Sequence, residues 1–227
     1  MKRAILIPIL VMLLSLSLSA QITWDSTYVK TVQVKKSEHL IGIKYGVSMS
    51  NIMLMTGGIE TKPIIIPHQI SILYTYNHSM WGLLDYFALQ TGVKYAKEGY
   101  QSLYEEVLGS MTVDVIEVPL ISQFRFNVSD NFRFILNLGP YAAYRFTTDK
   151  PSGFDCYDFQ FDYGIIGGGG FAIRFSPIEI HLECNYKFSL RGLYHPKVLD
   201  PNIVGAEKWL WNYPTQILFS TAVFYKF

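Results

Sequence analysis

Three residues at alternate positions, Glu179, His181 and Glu183, carry side chains well suited to chemistry. Positions i, i+2 and i+4 share one face of an extended strand, because successive side chains point to opposite faces. Two carboxylates beside an imidazole could bind a metal ion or transfer protons. The alternative interpretation is a histidine held within a network of buried charges. No second histidine falls at a matching inward position, so we favour the network and predict no metal, cofactor or catalytic group.

A run of four glycines, 167–170, offers a second chemical possibility, because glycine-rich loops can cradle phosphates. The run lacks the following Gly-Lys-Ser/Thr of a phosphate loop and lies within a predicted strand. Glycine in a barrel strand more often permits sharp curvature or the close approach of a large neighbour. We therefore expect a structural role here and no bound nucleotide.

Polar residues in the predicted loops raise a third possibility, a lipid or peptide hydrolase with its site at an outer rim. The candidate residues are His68, Asp149, Ser152, Asp155, Asp158 and His195. No spacing links them into a recognisable triad, and chance placement in solvated loops explains them. The sequence thus predicts a protein that is not an enzyme, with the rim hydrolase as the alternative.

The elements that would position these groups are predicted to be strands. From Ile178 to Leu190 every even position is apolar, and every odd position from Glu179 to Ser189 is polar, which is the strand period. These thirteen residues exceed the usual strand length of about five or six. Seven further segments alternate in the same way, the first three less clearly: 39–49, 69–77, 83–96, 116–128, 132–146, 161–175 and 217–227.

The connections between the eight segments alternate in length. Those predicted to be long are 50–68, 97–112, 147–160 and 192–214, and those predicted to be short are 77–81, 129–131 and 176–177. An even strand number with short turns on one side and long loops on the other is typical of outer-membrane barrels. We predict an all-β fold, an eight-stranded antiparallel transmembrane β-barrel (an up-and-down meander) over residues 39–227, with short periplasmic turns and long outer loops. A soluble sandwich, the alternative, gives no reason for this alternation.

The N-terminal residues resemble a secretory signal. Lys2 and Arg3 precede an apolar stretch from Ala4 to Leu14, and small residues lead to a cleavage bond after Ala20. We predict a signal peptide over 1–20 and a periplasmic lead-in over 21–38, and hence an outer-membrane location. An uncleaved anchor helix is the alternative, although its apolar core is shorter than the ~20 residues that span a bilayer. Only 16% of residues are charged and no basic stripe exists, so no nucleic-acid partner is expected.

The polar strand faces should line the lumen, which in an eight-stranded barrel is just wide enough for its own side chains. Buried charges must pair, so we predict an ionic network inside the barrel and a plug in place of a water channel. The predicted members are Glu117, Arg125, Arg133, Arg145, Asp162, Arg174, Glu179, His181, Glu183 and Lys187, joined by Lys44, Lys94 and Lys226.

Aromatic residues near the strand ends are expected to form girdles at the membrane interfaces. The predicted periplasmic girdle contains Phe124, Phe126, Phe132 and Phe134, and the opposite rim contains Tyr141, Tyr144 and Phe146. The expected partners are outer-membrane lipid and barrel-assembly machinery, which would read the terminal Phe227. Apolar loop residues 209–211 fit either a contact surface for another envelope or secretion protein or an anchor in the lipid interface.

Four stretches carry a resemblance to a known family: Ile116–Leu120, Gly139–Tyr141, the glycine-rich segment Tyr163–Gly170 and the terminal Tyr225–Phe227. With these stretches the chain resembles the PorT-like outer-membrane β-barrel family. The resemblance implies a barrel in the outer membrane, and some members look like accessory parts of a protein-secretion apparatus. We therefore expect a non-enzymatic outer-membrane barrel with a structural, binding or protein-export accessory role.

Overall fold

The computed structural model describes residues 37–54, 60–77, 86–104, 107–149, 158–193 and 212–227. The predicted signal peptide and nearly all of the predicted lead-in lie outside these ranges. The described residues form nine strands: β1 Glu38–Leu54, β2 Glu60–Lys62, β3 Ile64–Asn77, β4 Phe87–Tyr104, β5 Val107–Asn127, β6 Phe132–Thr148, β7 Phe161–Phe175, β8 Ile178–Ser189 and β9 Asn212–Lys226.

The eight long strands close into an antiparallel barrel. Each pairs with the next long strand along the chain, and β1 pairs with β9 from Leu40↔Lys226 to Leu54↔Asn212. The short strand β2 pairs with the outer part of β4. The predicted eight-stranded antiparallel barrel is thereby confirmed. Among the described residues, no helix is long and apolar enough to cross a membrane.

Exposure alternates along the strands as the sequence pattern indicates. On β8, Leu182 is 50% exposed on the outer wall, whereas its neighbour Glu183 is 5% exposed inside the lumen. The outer wall is rich in Ile, Val, Leu, Phe and Tyr side chains, and the interior holds most of the charged ones. Such a wall suits contact with lipid, and its apolar side chains need no other covering.

The prediction of a long third loop over 97–112 is wrong. Strand β4 continues to Tyr104 and β5 begins at Val107, so most of the supposed loop is a paired hairpin. The predicted loop over 50–68 is likewise shortened, because β1 runs to Leu54 and β3 begins at Ile64. The reason is physical: apolar alternation reports contact with lipid, whereas backbone pairing continues beyond the membrane wherever two strands can satisfy each other.

Aromatic rings cluster at both ends of the outer wall. At the end with short turns, Phe132 stacks on Phe171 with 5.4 Å between ring centroids, and Tyr86 stacks on Phe126 at 5.4 Å. At the other end, Tyr95 and Phe146 lie 6.3 Å apart. These contacts match the girdle positions of an outer-membrane barrel.

Tyr141, expected in the outer girdle, lies inside the lumen and is only 3% exposed. Its odd position on β6 shares the inward face of Arg133 and Arg145, and the alternation carries it inward with them. Gly164 on β7 makes room for the ring: a Cβ there would lie 2.8 Å from Tyr141 Cε1. The glycine therefore permits a close approach that a larger residue would block.

Candidate functional site

The charged lumen divides into two clusters, the first of which lies toward the short turns. This periplasmic cluster consists of Lys44, Arg125, Arg133, Glu179, His181 and Glu183. Glu179 Oε1 is 3.4 Å from Arg133 Nη1, and its Oε2 is 3.9 Å from Arg125 Nη1. Glu183 Oε2 accepts a hydrogen bond of 2.7 Å from Lys44 Nζ. Strand β8 thus supplies the carboxylates, and β1, β5 and β6 supply the cations from across the lumen.

His181 stands between the two carboxylates of this cluster and is fully buried. Its Nε2 lies 3.2 Å from Glu179 Oε2 and its Nδ1 lies 3.4 Å from Glu183 Oε1. Because ionised carboxylates only accept, both contacts are hydrogen bonds only when the ring carries both protons. Both ring nitrogens are engaged, and within the described ranges no group of three His, Cys, Asp or Glu residues is arranged to hold a metal ion.

The outer cluster lies toward the long connections and is charge-balanced. It contains three cations and three carboxylates: Lys94, Arg145, Lys187, Glu98, Glu117 and Asp162. Lys187 Nζ is 2.5 Å from both Glu98 Oε1 and Glu117 Oε2. Arg145 Nη2 is 3.1 Å from Asp162 Oδ2. The side chains of this cluster are at most 7% exposed.

Tyr141 completes the outer cluster. Its hydroxyl donates to Asp162 Oδ2 at 3.0 Å and lies 2.8 Å from Ser189 Oγ. The ammonium of Lys187 sits 4.2 Å from the centre of its ring, within the range of a cation–π contact. The aromatic ring therefore both packs against and electrostatically supports the central lysine.

Neutral amides bridge the space between the clusters. Asn137 Nδ2 donates to Glu183 Oε2 at 2.9 Å, and Gln123 Nε2 donates to Asn137 Oδ1 at 3.0 Å. A cavity of about 30 Å³, bordered by Lys44 and Lys94, lies nearby and has room for only a few water molecules. The lumen is consequently packed with side chains across its middle.

Apolar groups flank the charges at both ends of the lumen. Toward the outer end these are Ile52, Met111, Val113, Val115, Ala143 and Leu193, together with Tyr141, while Ile121 and Ile166 of the same group line the small central cavity. Toward the short turns they are Leu40, Leu73, Ala222 and Phe224. The backbone also crosses the outer end, where Phe159 N donates to Leu193 O at 3.0 Å and Arg145 Nη1 donates to Phe159 O at 3.0 Å. The arrangement can support charge pairing, and it shields the charges from solvent.

Most residues of the predicted network lie in these clusters, but Arg174 does not. It lies at the periplasmic mouth, where Nη2 donates to Ser129 O at 3.1 Å. Lys226 is also at this mouth and pairs with Glu38 at 2.6 Å. Sequence reasoning missed Glu98, because position 98 fell in a supposed loop. Its spacing of four from the inward Lys94 was the signal that could have found it.

The candidates for a rim hydrolase have separate roles where the structure describes them. His68 Nδ1 lies 2.8 Å from Tyr45 Oη on the outer wall. Asp149 accepts hydrogen bonds from Thr112 N at 2.9 Å and Thr112 Oγ1 at 3.1 Å. Asp158 lies three positions before the start of β7 at Phe161. The remaining candidates, Ser152, Asp155 and His195, lie outside the described residues.

The chain is similar to an outer-membrane barrel family in sequence and to known outer-membrane barrels in fold. The model of the family described as outer membrane protein beta-barrel domain matches residues 29–195. Neisserial surface protein A (NspA) aligns over 85% of this chain and 100% of its own, with a TM-score of 0.53 at 10% identity. OprG from Pseudomonas aeruginosa aligns over 85% and 97%, with a TM-score of 0.45 at 13% identity. At such identity, the likeness to NspA shows the fold alone. No curated protein matches the chain in sequence.

Proposed function

Since the chain belongs to the outer membrane protein beta-barrel domain family, we propose that it is a non-enzymatic barrel whose outer end binds another envelope protein. Its place is the outer membrane, and the barrel serves as the rigid support of that surface. The protein has a structural and adhesive role or assists protein export. On this proposal it neither transports solutes nor hydrolyses lipids or peptides.

The filled lumen is the observation that carries this proposal. Lys187, Glu117 and Arg145 are at most 4% exposed, and they meet oppositely charged partners across the interior. A solute crossing the barrel would have to separate these pairs, and leaving a buried charge without its partner costs about 3–5 kcal/mol. We therefore expect such a barrel to act through the residues that are exposed at its two ends.

The hairpin of β4 and β5 supports the choice of the outer end. The last pair between β5 and β6 is Val113↔Thr148, whereas β5 begins at Val107. Six residues of β5, 107–112, therefore extend past β6 while still paired with β4. A paired hairpin is stiffer than a loop of equal length, and a stiff surface loses less entropy when it binds a partner.

The resemblance to PorT-like proteins supports the narrower assignment to protein export. Its stretches lie in the barrel wall, at Ile116–Leu120, Gly139–Tyr141, Tyr163–Gly170 and Tyr225–Phe227. We accordingly expect the partner to be a component of a secretion apparatus. We also expect the barrel-assembly machinery to engage the terminal strand β9 together with Phe227, which follows it.

Crosslinking through the hairpin tests the proposal. A photoreactive residue at Ser110, exposed on the hairpin, is expected to yield a discrete adduct with one envelope protein. The matched control is the same residue at Leu138, 57% exposed in the middle of the wall, which should contact lipid. Replacing 102–109 by a tight turn should abolish the adduct and leave the barrel folded. Equal adducts from both positions, or a lipid or peptide product that vanishes when the protein is deleted, would contradict the proposal.

A further inference from the structure

A cleft of about 150 Å³ opens at the periplasmic mouth of the barrel, opposite the end considered above. The short turn between β5 and β6, the turn between β7 and β8, and the ends of β1 and β9 surround it. Its charged lining consists of Glu38, Asp130, Arg174, Glu179 and Lys226. Unlike the lumen beneath it, this cleft can be reached by a solute from the periplasm.

Three of these five charges are already neutralised within the protein. Glu38 accepts a hydrogen bond of 2.6 Å from Lys226 and another of 3.1 Å from Asn77. Glu179 forms the floor of the cleft and faces Arg133 and His181 of the periplasmic cluster. These groups give the cleft its shape and polarity, but their charges are balanced.

In the part of the chain that the structure describes, the charges of Arg174 and Asp130 are not neutralised by a side chain of opposite charge. The guanidinium of Arg174 donates from Nη2 to the backbone oxygen of Ser129 at 3.1 Å, and its Nε is shielded from solvent without a hydrogen-bond partner. Within the described ranges, no side chain pairs with Arg174 or with the carboxylate of Asp130. The cleft thus contains one cation and one carboxylate that lack partners in the protein.

The position of Arg174 is fixed by the turn it supports. Its backbone N donates to Asn131 O at 2.8 Å, and its side chain holds the carbonyl of Ser129 in the same turn. Asp130 lies between these two residues in sequence. The two charges are therefore carried by one hydrogen-bonded turn, and a ligand need not order the guanidinium of Arg174 first, which favours binding.

We propose that this mouth cleft binds a small zwitterion with the chemistry of an α-amino acid, its carboxylate on Arg174 and its ammonium on Asp130. Guanidinium and carboxylate form strong charge-assisted hydrogen bonds, and a shielded N–H without a partner gains most from such a bond. The cleft has room for several water molecules, which suits a ligand of the size of an amino acid. The proposal concerns the periplasmic end and does not depend on the proposed outer binding surface.

Titration of the full barrel in lipid nanodiscs, followed by amide NMR shifts, tests the assignment. Glycine should shift the amides of Asn131 and Arg174 saturably, with a dissociation constant on the order of 1 mM for so small a ligand. Acetate and methylammonium, which each carry one of the two charges, should bind at least about tenfold more weakly, because each forfeits a charged hydrogen bond. Acetate binding as tightly as glycine, or no saturable shift with glycine, would overturn the proposal.

Two single variants and one control locate the site. Asp130→Asn, in an exposed turn, and Arg174→Gln should each weaken glycine binding about tenfold. Lys97→Gln, which removes an exposed charge near the opposite end, should leave glycine binding unchanged.

Diglycine, whose charges are farther apart, distinguishes two sources of the ligand. Weaker binding of diglycine than of glycine assigns the cleft to free amino acids, and equal binding assigns it to the ends of peptides. Unaltered glycine affinity in Asp130→Asn would overturn the assignment, since that variant has no reason to misfold.

Discussion

The two clusters in the lumen differ in how completely their charges are paired. In the outer cluster, three cations meet three carboxylates, and Lys187 contacts two of them at 2.5 Å. In the periplasmic cluster, Lys44, Arg125 and Arg133 share only Glu179 and Glu183. Each cluster contains a guanidinium with two nitrogens that lack a hydrogen-bond partner, Nη1 and Nη2 of Arg125 and Nε and Nη2 of Arg145, so the difference lies in the balance of cations and carboxylates. The two clusters are similarly buried but differ in their balance of cations and carboxylates, so one lumen allows the effect of pairing to be tested at constant burial.

The largest expected effect is the loss of the lysine at the centre of the outer cluster. Lys187→Met leaves Glu98 and Glu117 short of a cation inside the barrel, and we expect a loss of about 3–5 kcal/mol in the free energy of unfolding. Urea titration of the heat-modifiable gel band measures it. The matched control is Lys97→Met, because Lys97 pairs with Asp114 at 3.4 Å but is 45% exposed, and an exposed pair contributes less than about 1 kcal/mol. Equal losses in the two variants would contradict the account.

An intermediate effect is expected at the histidine of the periplasmic cluster. In His181→Gln, a neutral amide replaces a ring that contacts Glu179 and Glu183 through both nitrogens. The amide nitrogen can donate to one carboxylate, but the amide oxygen places its lone pairs against the other, so one buried carboxylate has an unfavourable neighbour at a cost of about 1–3 kcal/mol. The same urea titration should place this variant between wild type and Lys187→Met. A loss as large as that of Lys187→Met would remove the distinction between the clusters.

A smaller effect is expected when only a hydroxyl is removed from the outer cluster. Tyr141→Phe keeps the ring beside Gly164 but deletes the hydrogen bond of 3.0 Å to Asp162. Asp162 retains Ser189 and Arg145 as partners, so the loss should be about 0.5–1.5 kcal/mol. Thermal unfolding of the purified barrel measures it, and a change larger than that of His181→Gln would show that the hydroxyl organises the whole cluster.

The smallest effect is expected at the least well paired cation. Arg125 Nη1 is 3.9 Å from Glu179 Oε2, and Glu179 keeps Arg133 and His181 without it. Arg125→Met therefore leaves no carboxylate unpaired, and it removes the desolvation cost of a buried guanidinium. That gain offsets the loss of the 2.6 Å hydrogen bond from Arg125 Nε to Gln123 Oε1, so stability should change by less than about 1 kcal/mol in either direction. A strongly destabilised Arg125→Met variant would mean that the two clusters do not differ in the way their distances indicate.

Strand alternation predicted the wall of the barrel and most of the inward charges, because lipid outside and polar groups inside impose a period of two. It could not predict the pairings. Lys187 and Glu98 are 89 positions apart in sequence, and their contact depends on the tilt and stagger of the closed sheet. It also failed where lipid contact ends, as at Glu98 in the outer hairpin. Tyr141 was misplaced because aromatic residues suit both a girdle and a packed interior.

Conductance of the purified barrel in a planar lipid bilayer tests the central claim most directly, namely that paired charges fill the lumen. Because moving an ion through the outer cluster would separate Lys187 from Glu98 and Glu117, the account predicts no current steps above those of the bare bilayer. Reproducible open-channel steps from the folded protein would contradict it, since they would require a continuous water path through the interior.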